Sequence, residues 1–226
     1  MIAYPVSFVP LPIGNREDIT QRALRVLSEV DCICCEDTRH TGMLLAHYGI
    51  HKPLLSMHEH NERQRAPEIA RRAQEGELFA VVTDAGMPGV SDPGYRLIQE
   101  LKAQGVAFTV LPGPSAVVTA LVGSGLPSDA FYFGGFLPTK SGKRRQALAA
   151  AAAAPHTSIF YESPFRIGKT LRELAELAPD APVCVAREIS KLHETYHRST
   201  AAELAAAFES APPKGEMVLL IGGTNA

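Results

Sequence analysis

The sequence has little excess charge of either sign. Lys and Arg total 22 against 24 Asp and Glu, a formal net charge of −2, and the isoelectric point is about 6.4. A global basic field is therefore excluded, and any polyanionic partner must be held by local patches. Cysteine is scarce: Cys32, Cys34, Cys35 and Cys184. No second CxxC pair completes a zinc site. Small apolar side chains in buried strands explain these cysteines, which suits a reducing compartment and points to the cytoplasm. No long apolar run is present. The alanine stretch from Ala147 to Ala154 is far short of the ~20 residues needed to cross a bilayer, and it reads as a helix. The opening MIAYPVSFVPLP has no basic region and is broken by prolines, unlike a secretory signal. The phosphate loop GxxxxGK[ST] and the dinucleotide fingerprint GxGxxG are both missing.

Hydrophobic residues make up 46% of the 226 positions and charged residues 20%, enough for well-packed cores in one large or two small domains. Short apolar runs alternate with segments of helical period. Strands are predicted at 6–9, 32–35, 54–57, 78–83 and 106–111. Between them, Asn15 with Asp18 opens one helix, Asp37 caps a second that stops at Gly49, a third ends at Gly76, and Asp92-Pro93 starts a fourth. Ser115 caps a helix to Val122. This alternation predicts an α/β fold of mostly parallel sheets flanked by helices. The stretch 123–129, GSGLPSD, reads as a linker between an N-terminal domain (1–122) and a C-terminal α/β domain (130–226). Strands of the latter are expected near 131–133, 157–161, 183–187 and 217–221, with a hairpin between Glu188 and Ser199.

Ligands of open parallel sheets bind beyond the carboxyl ends of the strands, so the segments following each strand carry the chemistry. The first, PLPIGN (10–15), has one glycine and reads as an ordinary βα turn. The second, EDTRHT (36–41), gathers Glu36, Asp37, Arg39 and His40. These suit proton transfer or ribose binding, although Asp37 equally serves as a helix cap. The third, HEHNERQR (58–65), places His58 and His60 around Glu59; the spacing is not HExxH, and no metal is assigned to it. The fourth, TDAGMPGVSDPG (83–94), is the most informative. Three glycines let backbone approach a ligand, and Asp84 and Asp92 add carboxylates without any lysine. That suits a zwitterionic ligand better than a polyphosphate. The fifth, PGPSA (112–116), opens a helix whose N-terminus can take a carboxylate or hydroxyl. Lys140, Lys143, Arg144 and Arg145 form the clearest basic patch, at a helix start where cations oppose the dipole. An RNA phosphate contact would account for it.

The runs PIGNREDIT, EDTRHT, HEHNE, DAGMPGVSDPGYR, LPGPSA, GFLPTKSGKRR, FYESPFR and VAREISKLHE occur in this order from about residue 10 to residue 222. Together they resemble the ribosomal RNA small-subunit methyltransferase I family, the 16S rRNA (cytidine-2′-O)-methyltransferases of the tetrapyrrole methylase superfamily. The resemblance implies two α/β domains with S-adenosyl-L-methionine in the cleft between them, and a homodimer. It places cofactor contacts on Ile13, on Asp84, Ala85, Gly86 and Met87, on Ser115 and Ala116, and on Phe160 and Tyr161. Small-subunit ribosomal RNA is the implied partner. For handling the proton of the 2′-hydroxyl the candidates are Glu36, Asp37, His58 and Glu59, with no choice among them. Arg39, His40 and Arg187, with the basic patch, are the candidates for holding RNA. Glu162 and Glu188 are either site residues or structural partners of Arg166 and Arg187. Rival readings are a tetrapyrrole or protein methyltransferase of the same superfamily, a metal-dependent hydrolase, and a module that binds the cofactor without transferring its methyl.

Overall fold

The computed structural model describes residues 3–210 and 213–224. The chain divides into two units, Met1–Ser115 and Ala116–Ala226. The first unit runs β1 (Val6–Phe8), α1 (Gln21–Glu29), β2 (Cys32–Cys35), α2 (Thr38–His47), β3 (Leu54–Ser56), α3 (Glu62–Gln74), β4 (Phe79–Val81), α4 (Tyr95–Ala103) and β5 (Phe108–Val110). Its sheet has the order β3-β2-β4-β1-β5, and every neighbouring pair is parallel. The three central strands are fully buried, as continuous apolar runs require. Alternation along each strand then sorts side chains between two cores. Val6, Phe8, Cys32, Cys34, Phe79 and Val81 face α3 and α4. Val9, Ile33, Cys35, Ala80 and Val82 join Ala23, Val26, Leu27 and Leu45 on the opposite face. The cysteines are free and buried, and burial pushes the thiols of Cys35 and Cys184 up to about 11.

Two helix starts differ from expectation. Asn15 does cap a turn, accepting from the Glu17 amide at 3.0 Å, but that turn is a short 3-10 segment at Arg16–Asp18. Helix α1 begins afterwards, capped by Thr20. Asp92 does not cap α4. The cap position is Gly94, at φ 135°, a conformation costly for any residue with a Cβ. A Cβ there would stand 3.1 Å from the Gly89 amide nitrogen and 3.5 Å from the Phe8 ring.

The second unit runs α5 (Ala116–Ser124), β6 (Phe131–Phe136), α6 (Ser141–Ala152), β7 (Thr157–Glu162), α7 (Ile167–Leu177), β8 (Pro182–Arg187), β9 (Thr195–Thr200), α8 (Ala201–Ser210) and β10 (Met217–Ile221). Helix α5, assigned by the sequence to the first domain, falls in this unit and packs on β8, β9 and β10. The sheet order is β6-β7-β10-β8-β9. Only β6 and β7 pair in parallel; the other three pairings are antiparallel. The mostly parallel character expected of both domains thus belongs to the first sheet. The reason is connectivity: β8 and β9 form the expected hairpin, and β10 returns between β7 and β8. Helices α6, α7 and α8 bury a core with Phe160, Val183, Val185, Leu219 and Ile221. No helix among the described residues is long and apolar enough to cross a membrane.

Arg144 fixes α6 to α7. Its side chain is 2% exposed and meets Glu173 through two hydrogen bonds of 2.8 Å. Glu173 also accepts from Ser141. The Arg144 guanidinium further donates to the Thr139 carbonyl at 3.0 Å, so its charge is fully engaged. The carboxyl of Glu173 is held below the ordinary range by Arg144. Removing one partner strands the other as a buried charge. Arg144→Ala is therefore expected to cost about 3–5 kcal/mol in denaturant unfolding, whereas Lys143→Ala, on the exposed side of the same turn, should stay within about 0.5 kcal/mol.

Candidate functional site

In the first unit the loops beyond the strands' carboxyl ends converge. The first and fourth loops are tied by an antiparallel bridge between Leu11 and Gly86. The Leu11 amide donates to the Gly86 carbonyl at 3.1 Å, and the Gly86 amide to the Leu11 carbonyl at 2.9 Å. Gly86 has φ +73°, in the left-handed region where glycine is free of steric penalty. A Cβ on it would lie 3.4 Å from Ile13 and 4.0 Å from the Pro114 carbonyl oxygen. Ile13, Gly86 and the turn before Ser115 therefore surround one point. The fifth loop is seated on the first by Gly113, where a Cβ would meet Pro10 at 2.9 Å.

The second loop joins through Asp84, whose Oδ1 accepts from the Asp37 amide at 3.4 Å. Three carboxylates now share the locality. Loss of hydration first, then the charge of Asp84, raises Glu36, while His58 lowers it. Asp92 is solvent-accessible but crowded. Lost hydration, followed by the charges of Glu36 and Asp84, pushes it up to about 6. Such an arrangement favours a cation, because a positive charge relieves repulsion that protons otherwise relieve. Among the described residues no group of three or more His, Cys, Asp or Glu is arranged to hold a metal ion.

The proton-handling candidates are distinguished by their surroundings. Asp37 caps α2, accepting from the amides of Arg39 at 2.8 Å and His40 at 3.3 Å. Those bonds hold its carboxyl below the ordinary range and make it a poor base. Glu36, half-buried and raised, is the better proton acceptor. His58 is half-buried, and its Nδ1 is buried without a hydrogen-bond partner. Glu59 is exposed. Arg39 and His40 are exposed beside the site, with Arg39 3.8 Å from Asp37.

In the second unit, Phe160 is a core residue at 5% exposure, so its side chain packs rather than faces a ligand. Tyr161 is half-buried against Phe133 and Phe136. Ala116 opens α5. Arg144 is withdrawn from the basic patch by its burial with Glu173. Arg145 pairs with Glu176 at 2.5 Å, which leaves Lys140 and Lys143 exposed. Arg187 donates to the Lys214 carbonyl at 2.5 Å and to that of His193 at 3.3 Å. It braces the hairpin connection. Glu162 is the structural partner of Arg166, at 2.6 Å.

One residue the sequence did not single out is Glu62. It is 4% exposed, yet its Oε1 accepts from the amides of Gly94, Arg96 and Leu97 at 2.8, 3.0 and 3.2 Å. A carboxylate on α3 thus caps α4 from outside and satisfies amides that no side chain of α4's own cap position reaches. It anchors the end of the fourth loop. The only sequence signal was a second glutamate in HEHNE with no local role. Glu62→Ala is expected to speed hydrogen exchange selectively at Gly94, Arg96 and Leu97. Glu62→Gln, which keeps an acceptor oxygen, should restore part of the protection.

A profile of the tetrapyrrole (corrin/porphyrin) methylases matches residues 5–205. The chain is 49% identical over 221 residues to ribosomal RNA small subunit methyltransferase I of Escherichia coli O157:H7, covering 96% of this chain and 77% of that protein. It is 45% identical over 215 residues to the protein of that name from Thermotoga maritima, covering 95% and 96%. Among solved structures it resembles uroporphyrin-III C-methyltransferase from Thermus thermophilus complexed with S-adenyl homocysteine, with TM-score 0.63, 22% identity and 96% of each chain covered. It also resembles cobalt precorrin-4 methyltransferase, with TM-score 0.68, 19% identity, and 96% and 94% covered. At these identities the structural likeness speaks for the fold. The profile and the sequence relatives speak for descent: the chain belongs to the tetrapyrrole methylase family and, within it, to the ribosomal RNA small subunit methyltransferase I proteins.

Proposed function

We propose that this chain transfers the methyl group of S-adenosyl-L-methionine to the 2′-hydroxyl of a cytidine ribose in 16S rRNA of the small ribosomal subunit. The observation that carries the reading is the convergence of Ile13, Gly86 and the Pro114–Ser115 turn on one point, beside the carboxylates of Glu36, Asp84 and Asp92, in a chain 49% identical to a methyltransferase of that name. The residues fit the cofactor. Glycine backbone can approach its adenosine, and the carboxylates complement a ligand bearing ammonium and sulfonium charges. When bound, it supplies a methyl group on a cationic sulfur. Asp84, Ala85, Gly86 and Met87 offer backbone and carboxylate groups from the fourth loop, and Ser115 and Ala116 offer a helix start.

The acceptor is a ribose hydroxyl, a group that is absent from DNA. Its pKa is far above neutral, so a positioned base assists as the new O–C bond forms. Glu36 takes that role, its basicity raised by lost hydration and by Asp84. Asp37 instead fixes α2 so that Arg39 and His40 lie beside the site. In-line placement of the reacting atoms supplies much of the rate. The same reading includes a homodimer working in the cytoplasm, where its ribosomal substrate is found.

The test is transfer of labelled methyl from S-adenosylmethionine to small subunits lacking this modification. Incorporation should map to a ribose and be lost in Asp84→Ala. No incorporation by a wild-type chain that still binds the cofactor would reject the acceptor. A pH dependence follows from Asp92. Below about 6 it holds a proton in the folded chain, and a cation bound beside it favours the ionised form. Affinity for S-adenosylmethionine should therefore rise as pH climbs through about 6 and then level off. Calorimetry at pH values either side of that point should show the rise in the wild type and a flatter profile in Asp92→Asn.

A further inference from the structure

Two helices begin together at the carboxyl ends of the parallel pair β6–β7. They are α6 and α7, joined near their starts by Arg144, Ser141 and Glu173. Neither has an acidic residue in its first turn. Lys140 and Lys143 lie at the start of α6, and Arg166 and Lys169 at the start of α7. Cations at the positive end of a helix are unfavourable unless an anion is supplied. Arg166 has one in Glu162, whose side chain is fully buried. Lys140 and Lys143 have no carboxylate partner among the described residues.

Between β7 and α7 stands Phe165, which is 95% exposed. Its turn is not loose. The Phe165 amide donates to Ser163 Oγ at 3.3 Å. Arg166 is held by Glu162 at 2.6 Å and donates to the Leu137 carbonyl at 3.3 Å. Thr170 donates to the second oxygen of Glu162 at 2.8 Å. An ion pair whose carboxylate is fully buried thus fixes a turn whose tip presents an aromatic ring to water. Next to Leu137 in the chain is Phe136, 62% exposed and edge-on to Tyr161. Exposed rings flanked by lysines match the recognition of unpaired nucleic acid, in which bases stack on aromatic faces and phosphates meet cations. A duplex offers such rings little, because its bases are already stacked on one another.

We propose that Phe165, with Phe136, Lys140, Lys143 and Lys169, forms a docking surface for single-stranded RNA, with Phe165 stacking on an unpaired base. This rests on the rRNA reading above and adds where, and on what kind of RNA, the chain takes hold. The full chain would be titrated against fluorescein-labelled oligocytidylate and, separately, a labelled RNA duplex. Phe165→Ala should weaken binding of the single strand on the order of tenfold and leave duplex binding unchanged. Phe165→Leu should weaken it similarly, because leucine keeps the apolar contact and loses the stacking face. Phe165→Trp should bind as the wild type. Since the chain has no other tryptophan, its fluorescence should be quenched as RNA is added. Lys140→Ala/Lys143→Ala should flatten the salt dependence.

Equal affinity in wild type and Phe165→Ala would overturn the proposal, even if the wild type methylates small subunits. Loss in Phe165→Ala with full retention in Phe165→Leu would also overturn it, in favour of an apolar protein contact. So would a monomer–dimer equilibrium shifted by Phe165→Ala in sedimentation, which would assign the ring to an interface between copies. A wild type that binds no RNA and methylates no subunits would remove the rRNA reading together with this one.

Discussion

The antiparallel bridge between Leu11 and Gly86 is the contact on which the first unit's site depends. Every strand of that sheet is parallel, so its loops leave the same edge with nothing in the ladder to join them. Two backbone hydrogen bonds, 2.9 and 3.1 Å, tie the loop after β1 to the loop after β4. Glycine at residue 86 makes this possible, since its φ is +73° and the space beside it is taken by Ile13. From this tie the other parts take their places. Gly113 seats the fifth loop on Pro10, and Asp84 receives the amide that begins the second. At the loop's far end Glu62 receives three amides at the head of α4. The fourth loop is thus pinned at both ends and open in the middle, an arrangement that presents backbone groups without leaving them slack.

Charge gives this scaffold its selectivity. Glu36 is raised by lost hydration and by Asp84, and Asp92 by lost hydration, Glu36 and Asp84, whereas Asp37 is lowered by the amides it caps. Three carboxylates within one pair of loops thereby differ in character: Glu36 and Asp92 are raised, and Asp37 is a structural cap. The second unit works differently. Its ion pairs, buried Arg144 with Glu173 and buried Glu162 with half-buried Arg166, neutralise their own charges. They hold two helix starts in place while exposed lysines and Phe165 meet the solvent.

Much of this was legible in the sequence because its causes are local. Continuous apolar runs marked the buried strands, and Asp37 announced its helix by its position before it. The glycine-rich, lysine-free fourth loop indicated a site for a zwitterionic ligand rather than a polyphosphate. What the sequence hid was non-local. Asp92-Pro93 has every mark of a helix start, yet the cap comes from Glu62 on another helix. Arg144 lies in a run of basic residues and reads as a surface cation; only the packing of α7 shows that Glu173 buries it. The antiparallel pairings of the second sheet follow from β10 inserting between β7 and β8, a choice made by long-range packing that periodicity does not encode.

The most direct test of the account is hydrogen exchange on the wild-type chain with and without S-adenosylmethionine. If the tied loops form the cofactor site, exchange should slow together in peptides spanning 11–15, 84–87 and 112–116 when the cofactor is added. Protection confined to one of these loops, or found only outside all three, would contradict it.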